Sequence, residues 1–266
     1  MLNKKLYWIP IVAILSACSQ QKEPDASFYC AKHYRAESYL VALEQCRTAA
    51  TAGKVGAQWL LASIFRHGLG VEQNLSESFY WTLEAAQAGH VSAQRETGSA
   101  LMRGQGTDKN IEEGLKWLRK SADKRDIESS YLLGTAYLTG EAGKIDHASA
   151  VYWFKKAVKG NHLLAINNLS WLYATSNNQS LRNGTKAVNM MEILVEEHSK
   201  SFVFLDTLAA AYAESGSFEK AVATQNKAVA LITNQVSPEE KKGYIERLDA
   251  YKNEMPWREL LTSENN

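Results

Sequence analysis

The sequence predicts an all-α protein, a right-handed solenoid of helical hairpins. Tryptophan recurs at 81, 117 and 153, each 36 residues apart, and the frame moves with it as FYWTLEAAQAGH, LKWLRKSADKRD and YWFKKAVKGNH. The segments upstream repeat as well: AQWLLASIFRHG, AQRETGSALMRG and SSYLLGTAYLTG. A fixed period of this length marks stacked units that bury a core only against their neighbours. Composition agrees: 45% hydrophobic and 22% charged residues suit an ordered chain, and 4 prolines and 16 glycines leave no room for a long linker. With 30 basic and 29 acidic residues and a net charge of +1, no basic field is present to attract nucleic acid.

The N-terminus stands apart from this fold. MLNKK carries two positive charges, and LYWIPIVAIL (6–15) is apolar. That run falls short of the ~20 residues a membrane-spanning helix needs, so 1–17 is expected to be a secretory signal. It ends in Leu15-Ser16-Ala17-Cys18, which resembles a bacterial lipobox. The resemblance implies that Cys18 is acylated and becomes the new N-terminus; an ordinary signal peptide with a chance cysteine is the alternative. Ser19 rather than Asp follows, which by the same resemblance favours the outer membrane. Residues 18–25 then form a polar tether. Cleavage leaves 28 basic against 29 acidic side chains.

Residues 26–54 read as two helices around a turn near Ala36–Ser38. Cys30 and Cys46 lie at similar distances before and after that turn, so an antiparallel hairpin sets them side by side. In an oxidising compartment a disulfide here would stabilise by ~3 kcal/mol; two buried free thiols are the alternative. CxxC metal spacing is absent.

Residues 55–163 hold the three full repeats. Ala62, Gly98, Gly134 and Ser170 are small, Phe65, Leu101, Tyr137 and Tyr173 are large and apolar, and Gly68, Gly104 and Gly140 close the first helix of a unit. The small residue permits close helix approach. Gly53, Gly89 and Asn161 hold the matching place after the second helix, where a left-handed conformation is needed. Arg125 breaks that rule, so its turn is expected to be built differently. The pairs Ala49-Ala50, Ala85-Ala86 and Ser121-Ala122 allow tight stacking. Trp81, Trp117 and Trp153 are expected to wedge between helices. Lys155, Lys156 and Lys159 are expected on the solvated side, because the matching units read YWTLEAA and KWLRKSA.

These residues resemble the Sel-1-like repeat, a relative of the tetratricopeptide repeat. Small residue, aromatic, GxG turn (Gly68-Leu69-Gly70, Gly104-Gln105-Gly106), then Trp and an alanine pair carry the likeness. Leu61 to Ser78, Thr97 to Gly114 and Leu133 to Ala150 each span 17 residues. Residues 164–201 form an intermediate repeat, with Met190 where the tryptophan stood. In 202–236 the spacing from Leu208 to Ala221 drops to 13, as in a tetratricopeptide-like repeat. The resemblance covers about 38–231. Residues 237–266 then supply a capping helix and tail. SPEE (237–240) is a capping box with Pro at the first helical position; Tyr244, Leu248, Tyr251 and Met255 form an apolar stripe, and MPWRE is expected to fold back on Trp257.

No HExxH, GxSxG or phosphate loop occurs. His90 and His162 share a repeat register and read as turn residues rather than metal ligands. Ser121–Lys124 and Ser217–Lys220 match SxxK without KTG or SDN. The expected function is a non-enzymatic protein-interaction scaffold, lipid-anchored at the periplasmic face of the outer membrane, with no cofactor, metal or nucleic acid. Alternatives are a β-lactamase-like or other cell-wall-related hydrolase, an activity assigned to some cysteine-rich Sel-1-like proteins, and a surface-exposed or released cell-interaction factor. On the family's pattern first helices line a concave groove. The groove positions fall on Trp59, Ser63, Arg66 and His67, then Arg95, Ser99, Met102 and Arg103, then Tyr131 and Thr135, then Asn167 and Trp171. Asn168 matches a peptide-clamping asparagine of some tetratricopeptide domains, although their paired lysines are missing. These residue types imply an acidic or C-terminal peptide of another envelope protein as partner; a solvated inner surface with no defined ligand is the alternative.

Overall fold

A computed structural model of the chain describes residues 25–232 and 236–259. The signal segment 1–17, Cys18 and most of the tether lie outside the described residues. Helices follow one another as α1 (Ala26–Arg35), α2 (Tyr39–Thr51), α3 (Val55–His67), α4 (Leu75–Gln87), α5 (Val91–Arg103), α6 (Ile111–Asp123) and α7 (Ile127–Thr139). The series continues with α8 (His147–Val158), α9 (Leu163–Thr175), α10 (Gly184–Glu197), α11 (Phe202–Glu214), α12 (Phe218–Leu231) and α13 (Pro238–Lys252). No strand occurs among the described residues. Each helix packs on the next in the chain, so the hairpins stack as a helical-hairpin solenoid.

Loop chemistry sets the hairpins. Asn74, Asn110, Asp146 and Asn183 cap the second helices, their side-chain oxygens accepting the backbone N–H of Glu77, Glu113, Ser149 and Lys186. Their own N–H groups donate to the carbonyls of Phe65, Leu101, Tyr137 and Tyr173 at 2.8–2.9 Å. The large residue of each first helix therefore fixes the returning loop through its backbone while its side chain packs inward. A 3-10 turn at Gln179–Leu181 lengthens the loop before α10.

The small register does what its size suggests. A Cβ on Gly134 would strike the ring of Phe154, and one on Gly98 would lie 2.8 Å from the carbonyl oxygen of Gly114. Trp81, Trp117 and Trp153 are buried, at 7%, 7% and 8% exposure. Lys120 and Lys156 cover the rings of Trp117 and Trp153 at 3.9 and 4.3 Å. Lys156 is thus half-buried, while Lys155 and Lys159 face solvent.

Cys30 and Cys46 are joined as a disulfide across the first hairpin, with Cα atoms 4.6 Å apart, inside a core with Ala42, Ala49 and Leu61. At the other end Ser237 and Glu240 form the reciprocal capping box of α13. Leu248 and Tyr251 are buried on α11 and α12.

Two expectations are corrected here. Arg125 does not change its turn: it takes φ +67°, beside +75° at Gly53, +92° at Gly89 and +58° at Asn161. Its N–H donates to Ala122 and that of Asp126 to Ser121, the pattern of the other turns. The hydrogen bonds and the Asp126 cap hold the backbone there in spite of the side chain. Met255 leaves the apolar stripe and is exposed, because α13 ends at Lys252 and Glu254 turns the chain at φ +54°.

Candidate functional site

The face built by the first helices carries most of the polar and aromatic residues singled out above. One register on it, Trp59, Arg95 and Tyr131, meets the residue 31 places ahead, which caps the next first helix. Trp59 stacks on His90 with centroids 5.0 Å apart, and Tyr131 stacks on His162 at 4.3 Å. Arg95 instead pairs with Asp126 at 2.7 Å. Each of these caps holds its helix: Nδ1 of His90 and of His162 accepts the N–H of Ala93 and Ala165, and Asp126 accepts that of Ser129. These three residues rivet one unit to the next. The fourth member, Asn167, is buried rather than groove-facing, and its Nδ2 donates to half-buried Asn168 at 3.4 Å.

Other members of the set are also engaged internally. Ser63 bonds Tyr34 at 2.8 Å. Arg66 donates to Glu96 at 3.0 Å and to Thr82 at 3.2 Å. Met102 is a correction, since it sits in the core against Leu115, Leu118 and Leu133. His67 and Arg103 are exposed at the ends of α3 and α5, and neither makes an ion pair or side-chain hydrogen bond among the described residues. A cavity of about 440 Å³ opens between α3, α4 and α5, lined by Arg66, His67, Ser78, Thr82, Glu96 and Gln105. Its charge is mixed: Glu96 neutralises Arg66 at its wall.

Farther along, the face is already occupied. The segment after α13 folds back over α9. Trp171 Nε1 donates to the Glu259 carboxylate at 2.8 Å, the Glu259 N–H donates to the Thr175 carbonyl at 3.0 Å, and Asn177 donates to the Glu259 carbonyl. Arg258 pairs with Glu214 at 2.7 Å, and Arg182 holds the other oxygen of that carboxylate at 3.0 Å. Trp257 packs beside Tyr251 and Trp171, with Arg247 over both tryptophan rings. The fold-back on Trp257 was legible in the sequence. Glu259 and Arg258 were not, because their partners lie in other units. The rivets were open to a register argument, since Trp59/His90, Arg95/Asp126 and Tyr131/His162 pair matched chemistries at one spacing.

Neither SxxK pair forms a nucleophile and base. Ser121 is buried and donates to the Val91 carbonyl, while Lys124 reaches the Gly89 carbonyl. Lys220 lies over the Tyr212 ring instead of Ser217. Among the described residues no cluster of His, Cys, Asp and Glu is arranged to hold a metal ion, and no helix is long and apolar enough to cross a membrane.

No curated protein matches the chain significantly. Among solved structures, a Sel1 repeat protein from Oxalobacter formigenes is similar at 21% identity and a TM-score of 0.65, over 83% of this chain and 97% of that one. A second is c5321, a protective antigen present in uropathogenic Escherichia coli strains and displaying an SLR fold. It is 17% identical with a TM-score of 0.60, over 91% of this chain and 65% of that one. At these identities the likeness concerns the fold alone. The Sel1 repeat pattern itself matches residues 55–90, 91–126 and 127–162, the three units whose tryptophans, turns and caps coincide. Residues 55–162 are therefore three consecutive Sel1 repeats.

Proposed function

We propose that the chain is a non-enzymatic scaffold that binds an extended segment of a protein partner along its first-helix face. The observation that carries this reading is the chain's own tail. Residues 257–259 lie on that face outside any helix, held by one backbone–backbone hydrogen bond, side-chain hydrogen bonds, an ion pair and tryptophan contacts, which are the means by which a groove holds a peptide. Sel1-repeat solenoids typically serve as protein-interaction scaffolds, in keeping with this. The acidic preference expected from Arg66 and Arg95 is weakened, because Glu96 and Asp126 already neutralise them. His67, in the wall of the open cavity, and exposed Arg103 at the end of α5 are charged or titratable groups of the set left to a partner.

Photo-crosslinking residues placed at His67 and Arg103, with Lys155 as control, test this in intact cells. A partner captured from the first two positions and not the third supports the reading. Capture only from Lys155, or from none, overturns it.

We further propose that Cys18 carries a lipid that anchors the protein at the periplasmic face of the outer membrane. The support is the LSAC junction directly after an apolar run, and a buried disulfide suits an exported chain. Metabolic labelling with palmitate should mark the wild type and vanish in Cys18→Ser. A labelled Cys18→Ser protein would exclude the anchor.

A further inference from the structure

One junction between repeats differs from the two before it in its charge and in the opening it leaves. At the junction of α6, α7 and α8 a cavity of about 570 Å³ opens, rimmed by Arg125, Lys156 and Lys159, with Asp123 on one side and Ile127 and Gly160 below. Shifting by 36 residues gives internal controls. The preceding junction has Gly89, Lys120, Asp123 and Lys124 at the matching places, and the first has Gly53, Glu84, Gln87 and Ala88. In the preceding junction Lys124 crosses the crevice and donates to the Gly89 carbonyl at 2.8 Å. Here that position is Gly160, whose missing Cβ makes room for Ile127, and the crevice stays open.

The cations in it are poorly neutralised. Lys156 lies 3.6 Å from Asp123, while Arg125 and Lys159 make no ion pair or side-chain hydrogen bond among the described residues. Arg125 is also held at φ +67° where the two upstream junctions use glycine. A large side chain is strained in that region, and strain of this kind concentrates where a residue has a task beyond folding.

We propose that this crevice binds a small molecule through a phosphoryl group. Three cations facing one carboxylate call for a multiply charged anion, which a single carboxylate ligand does not supply. The guanidinium fork matches two oxygens of such a group. The cavity is larger than the ion, and the wall at Ala122 and Ile127 accepts an apolar remainder. A soluble phosphorylated compound and a phospholipid headgroup share this chemistry.

The test uses the folded protein, calorimetric titration with inorganic pyrophosphate and with citrate, and flotation with phosphatidylcholine vesicles with and without phosphatidic acid. Saturable binding of pyrophosphate over citrate identifies a soluble source, and flotation only with phosphatidic acid identifies a lipid one. In either case Arg125→Gly and Lys159→Gln should each weaken binding by about tenfold or more. Arg125→Gly relieves the backbone, so its melting temperature should hold or rise by about 2 °C, and lost binding cannot then be blamed on lost fold. Lys124→Gln, in the plugged junction, should leave binding unchanged. Failure of the wild type to bind pyrophosphate and acidic vesicles, equal preference for citrate, or binding indifferent to Arg125→Gly and Lys159→Gln would each overturn the site.

Discussion

Trp59, Arg95 and Tyr131 show how one position can hold three unlike residues and still do one job. The chemistry of each fits its partner: ring on imidazole at His90 and His162, guanidinium on carboxylate at Asp126. Helical register located these residues on the first-helix face, but it does not say whether a neighbouring unit supplies a contact there. For that reason the sequence led to partner-binding roles for residues that the fold uses itself. The His90 rivet has a pH consequence. Burial pushes its imidazole below the ordinary 6.5, and its Nδ1 must stay unprotonated to accept the Ala93 N–H. Protonation would also set a positive charge at a helix N-terminus. The stabilisation is full above pH 6.5, the unfolded value, declines as pH falls below it, and is lost once pH passes below the folded value. Melting temperature measured from pH 8 to pH 5 should therefore fall more steeply in the wild type than in His90→Asn, which keeps a capping oxygen and does not titrate. Parallel curves would show that this histidine is not a linked group. At pH 8 His90→Ala should cost ~1 kcal/mol through the lost cap.

At the scale of elements, legibility tracks locality. The hairpins, their glycine ends and the α13 capping box rest on contacts within one unit, and the sequence revealed them. Arg125 was misjudged because residue preference was read as a rule for the turn, whereas the turn's own hydrogen bonds enforce the conformation. The seat of α13 was invisible for another reason: Arg247 meets Asp206 across 41 residues, at 2.8 Å. Asp206 is 5% exposed and also accepts from Gln225 at 2.7 Å. Burial drives its carboxyl upward against the pull of Arg247 and Gln225. The same guanidinium lies over Tyr244 at 4.6 Å and reaches Trp171 and Trp257. Arg247→Ala leaves a buried carboxylate without its counter-ion, a loss of ~3–5 kcal/mol. Removing Asp206 as well should recover part of that loss, since coupled residues are not additive. Chemical denaturation of the two single variants and the double variant measures the coupling; additive losses would show that the pair is not what seats the helix.

Across the whole molecule the first-helix face divides in two. Its N-terminal half keeps an open cavity beside Arg66 and His67, while in its C-terminal half residues 257–259 lie against the ends of α9 and α11. The repeat register predicts such a face but not its occupancy, because the tail follows no repeat. If the tail sits there as a peptide would, it competes with one. Held on the same chain, it acts at an effective concentration in the millimolar range. A labelled synthetic peptide of residues 253–262 should then bind a chain truncated after Met255, with the full chain binding it about 10- to 100-fold more weakly. Fluorescence anisotropy of the peptide reads this directly. The truncated chain should also melt lower, since it gives up the Arg258–Glu214 pair and the Trp257 packing, so binding is compared well below both transitions. Replacing Trp171 by Ala in the truncated chain removes both the indole platform and the donor to Glu259, and should abolish the binding. Equal affinity for the full and truncated chains would mean that the peptide seeks another surface. No binding to a folded truncated chain would mean that the tail is a structural strap.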